Sequence, residues 1–356
     1  MRNSLKVICV CLVILNILSM LSIYSSLHQA QEFKNQILFY KQIVWIVLGW
    51  IFLFIFSFVN YRFYFDISYF LYVLNIILLL ILEFTGEKIM GAKRWLSFLG
   101  VNFQPSEFSK LVLIIVLARS FSLETKKVFF KKVLIPLFLV GLNFLFIFRQ
   151  PDLGTALLCI YIYFFIGFAS SLRKRYLASL LLVGVLISPL GWNLLKDYQK
   201  KRLLVFLNPN IEPQGAGYTI IQSKIAIGSG RLWGKGFLSG TQNQFNFLPE
   251  RHTDFIFTVI AEEEGFVGSL LLIIIYYLLL KHILAITGKA KDEFGILLGK
   301  AIAGLFFFQI FVNLGMCMGI LPVVGIPLLF LSYGGTHLII NFIMIGIIFN
   351  INRKND

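Results

Sequence analysis

Apolar runs close to twenty residues long recur along this chain from one end to the other. A helix crossing a hydrocarbon core of about 30 Å needs about 20 such residues. Cut to that length, the sequence predicts ten spans, at roughly 5–27, 36–59, 67–84, 106–121, 133–148, 154–171, 176–195, 265–285, 297–320 and 331–351. A water-soluble domain would need polar residues to cover so much apolar sequence. Of the 356 residues 58% are hydrophobic and 14% charged, whereas about 25% are charged in a soluble domain. The expected solvent is therefore a bilayer. The expected fold class is all-α: a polytopic membrane protein of about ten transmembrane helices. The first run, after Arg2 and Lys6, is longer than the apolar core of a secretory signal, and no small-residue cleavage pattern follows it. It reads as an uncleaved first span.

Lys and Arg in short loops orient such a chain. With the N-terminus cytoplasmic, the inner segments hold Arg2, Lys6, Arg62, Lys126, Lys127, Lys131, Lys132, Arg173, Lys174, Arg175, Lys281, Lys289, Lys291, Arg353 and Lys354. The short outer loops hold Lys34, Lys88, Lys93, Arg94 and Arg149. Fifteen against five places both termini on the cytoplasmic side. The chain is expected to be one membrane domain over 1–356, with a long extracytoplasmic loop at 196–264 between spans seven and eight. That loop is itself basic, which points to an anionic ligand such as a phosphate at the outer surface. The net charge of +15 is assigned to orientation and anionic membrane lipid rather than to nucleic acid, because no basic tail or zinc-knuckle pattern accompanies it. Cys9, Cys11, Cys159 and Cys317 lie in apolar runs without metal-ligand spacing, and His28, His252, His282 and His337 are scattered.

Chemistry must lie in the polar stretches between spans. In Gly91–Lys110, Gln104-Pro105-Ser106-Glu107 has the form of a helix start, and Glu107 and Lys110, three apart, share a helix face. They can form an ion pair at a span's end or the polar wall of a groove. Asp152, followed by Gly154 and Thr155, has the form of an N-cap. Within the long loop, glycines stand beside basic residues at 228–236, and exposed N–H groups there can bind anions. Asp254 sits where the loop turns apolar. Partial desolvation raises a carboxylate's pKa, which suits a general base; the alternative is a helix cap. Of Glu262, Glu263 and Glu264, one could hold a cation, but three consecutive residues cannot share a helix face. Pro322–Thr336, with two prolines and three glycines, breaks the helix near the outer face. Non-helical backbone at membrane depth must be buried in protein or line a cavity.

Taken in order, Gly91–Lys110, Gln150–Thr155, Gln222–Phe257 and Pro322–Gly335 resemble the SEDS family of shape, elongation, division and sporulation proteins. The segments Ile221–Gly230 and Phe247–Phe255 are closer to its elongation branch than to its division branch. The resemblance implies a peptidoglycan glycosyltransferase that polymerises lipid II outside the membrane. It implies a class B penicillin-binding protein as transpeptidase partner, within the elongation machinery. The family's essential loop aspartate matches Asp254, and its Arg-Trp and Pro-Ser-Glu-x-x-Lys elements match Arg94-Trp95 and Pro105–Lys110. Arg231 departs from the pattern, standing where many relatives have Gly, and so does Thr336, where Ser is common.

The expected chemistry is a single inverting displacement. A diphosphate leaves without a general acid but needs positive charge as it departs, while one carboxylate takes the proton of the attacking sugar hydroxyl. Retention would want a second carboxylate as nucleophile. Asp254 is the expected catalytic residue. Arg94, Trp95, Glu107, Lys110, Asp152, Arg202, Lys224, Lys235, Glu250, Arg251, His252 and Thr253 are the expected substrate-binding set. No cofactor is required; a divalent cation, Mg or Mn, could assist the diphosphate. Three other readings are a lipid II translocase, which would need a polar path through the midplane, a division-specific polymerase, and a scaffold for cell-wall enzymes.

Overall fold

The computed structural model describes residues 2–28, 33–89, 92–98, 101–124, 128–213, 215–245 and 247–355. Lys126 and Lys127 of the orientation argument, and Gly91 at the head of the first polar segment, lie outside the described residues. The elements run α1 (Arg2–Leu27), α2 (Phe33–Phe58), α3 (Tyr61–Thr85), β1 (Glu87–Ile89), β2 (Ala92–Phe98), β3 (Val101–Phe103), α4 (Pro105–Ser122), α5 (Ile135–Arg149), α6 (Leu153–Ala169) and α7 (Lys174–Leu194). After these come α8 (Asp197–Leu207), α9 (Ala216–Ser229), α10 (Thr241–Gln244), α11 (Ile256–Glu263), α12 (Gly265–Thr287), α13 (Glu293–Cys317) and α14 (Gly335–Asn355).

Each predicted span falls on a helix. Among the described residues, seven helical stretches are long and apolar enough to cross a membrane: Asn3–Leu27, Ile37–Phe58, Tyr61–Thr85, Phe129–Arg149, Gly265–Thr287, Glu293–Cys317 and Gly335–Lys354. The other three predicted windows fall on α4, which carries Glu107, Lys110 and Arg119, on the 17-residue α6, and on α7. Three boundaries differ from the hydropathy reading. The third helix begins at Tyr61 rather than 67, because Asn60 caps it by accepting from the Arg62 amide at 3.2 Å. The fifth span is entered through a π-helical turn, Phe129–Leu134. The last begins at Gly335, since 331–334 are not helical.

The all-α expectation needs one correction. Between α3 and α4 the chain forms a small antiparallel sheet, β1–β2–β3, with Lys88 opposite Lys93 and Ser97 opposite Asn102. Gly86 ends α3 and Pro105 opens α4. The Trp, Leu, Phe and Val between them favour a pleated strand, and hairpin pairing satisfies backbone groups that a helix this short would leave open.

Burial sorts the helices into an inner and an outer set. The apolar windows of α13 and α14 are 72% and 83% buried, against 22% for that of α2. On α2 and α3, Phe54, Phe70 and Phe84 are 65%, 68% and 80% exposed, as expected where lipid covers the apolar surface. Glycine lets α14 press against α2: a Cβ on Gly346 would lie 2.7 Å from the Leu53 carbonyl oxygen. Backbone cannot move aside cheaply there, so Gly346→Val is expected to cost about 1–3 kcal/mol by overpacking. Thermal unfolding in detergent would show it as a lower midpoint. Polar residues also tie spans together. Asn75 of α3 donates to Asn143 of α5 at 2.7 Å and accepts from Ser109 of α4 at 2.7 Å.

The 196–264 segment is folded, with α8 to α11 inside it. The break at 322–334 is irregular but bonded. Its Leu328, Leu329, Phe330 and Leu331 are fully buried, and the Ser332 hydroxyl accepts from the Leu328 amide at 2.8 Å. It is non-helical backbone held inside protein, as the bilayer requires.

Candidate active site

Asp254 stands in the turn that leads into α11, and the broken segment holds that turn from below. The Ser332 hydroxyl donates to the Thr253 carbonyl at 2.6 Å, and the Tyr333 amide donates to the His252 carbonyl at 2.9 Å. Asn313, near the C-terminal end of α13, donates one amide to both the Asp254 carbonyl and the Ile326 carbonyl, each at 2.8 Å. Gly325 has φ +73, and a Cβ there would lie 3.4 Å from an Asp254 carboxylate oxygen. The prolines and glycines of 322–336 thus fold a backbone cradle under one carboxylate. Asp254 caps no helix: α11 begins after Phe255 without a side-chain cap, and among the described residues none hydrogen-bonds the Asp254 carboxylate.

Burial first, and the Glu250 carboxylate second, push the Asp254 pKa up from 3.8 to about 6. The Arg202 and Arg94 guanidinium groups pull the other way, and Asp152 adds a smaller upward push. These four residues, all in the predicted set, converge from β2, the α5–α6 turn, α8 and the 247–255 turn. Arg94 donates from Nε to the Gln150 carbonyl at 3.3 Å and from Nη2 to the Pro151 carbonyl. Arg202 donates to the Val323 carbonyl at 3.3 Å and packs on the Tyr198 ring. Tyr198 in turn donates to the Pro151 carbonyl at 2.8 Å. Arg94, Tyr198, Arg202, Pro151, Leu153 and Val324 line a small cleft that opens to solvent. It offers two guanidinium groups and apolar walls.

The remaining predicted residues are placed as follows. Asp152 caps α6, accepting from the Thr155 amide at 3.2 Å and hydroxyl at 2.9 Å. Thr253 donates to the Glu250 carboxylate at 3.0 Å. His252 packs edge-on against Tyr333, and burial lowers its pKa. Arg251 is spent on the Ser26 carbonyl at 2.7 Å. Lys235 pairs with buried Glu262 at 2.7 Å, and Glu263 accepts from Ser25, so these neighbouring carboxylates do face different ways. Lys224 is exposed on α9 beside Gly319. Trp95 stands on β2 opposite Glu87. Glu107 and Lys110 are almost fully buried and paired at 2.6 Å.

Several contributors escaped the sequence reading. Tyr198 gave no local signal. Asn313, an amide inside an apolar run, was a polar exception of the kind that marks function in a span. His337, read only as scattered, donates from Nδ1 to Glu107 at 3.0 Å, with the Asn341 amide on its Nε2 at 3.0 Å. The spacing of Glu107 and Lys110 revealed their pair but not this third member, 230 residues away. Among the described residues no three His, Cys, Asp or Glu side chains gather.

A multi-pass helical membrane protein with a desolvated carboxylate in the field of two arginines is the class that fold and site define. The chain belongs to the FtsW/RodA/SpoVE family, described as cell cycle proteins, whose model matches residues 5–356. It is similar to the peptidoglycan glycosyltransferase MrdB of Escherichia coli K12, with 42% identity over 88% of this chain and 85% of that one. It is 31% identical to the peptidoglycan glycosyltransferase RodA of Treponema pallidum, over 95% and 94% of the two chains. Among solved structures, a chain of a peptidoglycan synthase complex that coordinates polymerization and crosslinking superposes with a TM-score of 0.82 at 29% identity, covering 98% of this chain and 97% of that one. The rod shape determining protein RodA of Thermus thermophilus gives 0.72 at 27% identity, covering 98% and 96%.

Proposed function

We propose that this chain is a RodA-like peptidoglycan glycosyltransferase, polymerising lipid II at the outer face of the bacterial cytoplasmic membrane for cell elongation. The observation that carries the site assignment is the Asp254 carboxylate, cradled by the Gly325 backbone, desolvated, and favoured in its charged form by Arg94 and Arg202. In this reading α4, α6 and α7 also cross the bilayer, giving ten spans, with both termini inside and the 196–264 segment outside. The acceptor sugar hydroxyl loses its proton to Asp254 as its oxygen attacks the donor's anomeric carbon, and the bond to the diphosphate breaks. The guanidinium groups of Arg94 and Arg202 stabilise the charge on the leaving diphosphate. Apolar grooves between spans hold the polyprenyl tails. A penicillin-binding protein of class B is the expected crosslinking partner, in keeping with the synthase complex whose fold this chain shares.

The test is polymerisation of labelled lipid II by the purified protein with its partner. Glycan strands are expected; no product from folded protein with partner would overturn the reading. Because Asp254 must be ionised to accept a proton, the rate should fall as pH drops through about 6. Arg202→Gln removes a charge that favours the carboxylate, so it should move this acid limb to higher pH. Glu250→Gln removes a repulsive charge and should move it lower. A limb that ignores both changes would assign the titration to another group.

A further inference from the structure

Away from the cleft, the loop after α9 carries large apolar side chains that the described residues leave exposed. Leu232 is 61% exposed, Trp233 79% and Phe237 44%. Their backbone is nonetheless fixed. The Lys235 amide donates to the Glu262 carbonyl at 3.0 Å and the Gly236 amide to the Glu263 carbonyl at 2.9 Å. From the other side, the Phe266 amide donates to the Arg231 carbonyl at 2.9 Å and the Val267 amide to the Leu232 carbonyl at 3.1 Å. Gly234 has φ +80, and a Cβ there would lie 2.0 Å from the Glu263 carbonyl oxygen. The loop backbone is pressed onto the α11–α12 junction, and its apolar side chains are left on the outside.

The apolar surface continues from there. The first turns of α12 expose Phe266, Leu270 and Leu271 at 58%, 44% and 55%, and α12 is a membrane span by length and apolarity. Lipid covers that row, and the 232–233 patch is bonded to its upper end. Arg231, exposed beside it, places a cation where anionic headgroups lie. Tryptophan with a basic neighbour is the composition that settles at a membrane interface.

We propose that residues 231–237 are a membrane-interface anchor, with Leu232 and Trp233 inserted into the lipid leaflet beside the start of α12 and Arg231 among its headgroups. Because α11 begins two residues after Asp254 and ends at this junction, the anchor would set the depth of the catalytic turn relative to the lipid surface. The inference rests on the membrane reading and not on the polymerase reading, so either can fail alone.

The test uses the full chain in phosphatidylglycerol–phosphatidylethanolamine proteoliposomes, with a nitroxide at Trp233→Cys. Unmodified protein, whose four cysteines are buried or half-buried, supplies the background. Ile274→Cys on α12 is the lipid reference and Asn210→Cys the water reference. Collision with oxygen should exceed collision with a water-soluble nickel chelate several-fold at 233, as at 274. Leu232→Cys, read the same way, guards against loss of the anchor through loss of the tryptophan. Chelate access matching that at 210 at both positions would overturn the proposal. Shielding from both reagents would also overturn it, by showing protein rather than lipid over the patch.

Discussion

Asp254→Asn is expected to lower glycan polymerisation by at least about 100-fold, within the 10²–10⁴ range that a positioned general base contributes. The same variant should be no less stable than wild type. Asp254 is held through its backbone carbonyl by Asn313 and Cys317, and those contacts survive the change. The sign of the linkage is clear. The folded-state pKa of about 6 lies above the ordinary 3.8. The resulting contribution to stability is therefore present below pH 3.8 and lost as pH rises through 6. At pH 8 the folded wild type carries a penalised carboxylate, and Asn removes it. The rise is equivalent to at most roughly 3 kcal/mol, less after solvent screening of a group that is only partly buried. A lipid II assay run beside thermal unfolding at pH 8 separates the two effects. Full polymerisation by the variant would remove Asp254 from the role of base, and a large loss of stability would make the activity result uninterpretable as chemistry.

Glu107→Leu is expected to be the most destabilising single change, at about 3–5 kcal/mol. The carboxylate accepts from Lys110 at 2.6 Å and His337 at 3.0 Å, all three side chains being about 5% exposed or less. Removing it strands a buried ammonium, which costs far more than the pair contributes. Lys110→Met in the same chain should restore much of the loss, because the uncompensated charge goes with it. Unfolding of the two single variants and the double variant gives the coupling energy directly. Additive losses would show that the pair is not a unit. The contact of Glu107 with His337 ties α4 to α14, and the adjoining Thr336 hydroxyl donates to the Asn102 carbonyl at 3.1 Å. Disturbing it should loosen the floor beneath the small sheet that carries Arg94.

The sequence was most informative where one physical demand acted along many residues. Twenty-residue apolar runs have a single solution in a bilayer, so every predicted window fell on a helix. Local rules also served: Asp152 caps α6 as its place before Gly154-Thr155 foretold, and Glu107 and Lys110 meet as their spacing required. The strand segment was missed because it is short and its alternation is broken by glycine and turn residues. Start and end points slipped where a cap or a π turn, rather than hydropathy, decided them.

The site itself was legible as a set of residue types and not as an arrangement. The place of Asp254 at the end of the loop left a base and a helix cap both open, and the family resemblance pointed to the base; nothing in the order of residues could say that Arg94 and Arg202 act on it while Lys235 is held by Glu262. Charge and polarity within a segment are local properties, and the bilayer converts them directly into helices and loops. Which loop residues share a cleft depends on how the inner helices α13 and α14 pack and where the 322–334 break brings backbone against the Asp254 turn. That is settled by contacts between segments as much as 230 residues apart, as with Glu107 and His337. A lone sequence carries no term for such contacts, and only the folded chain supplies them.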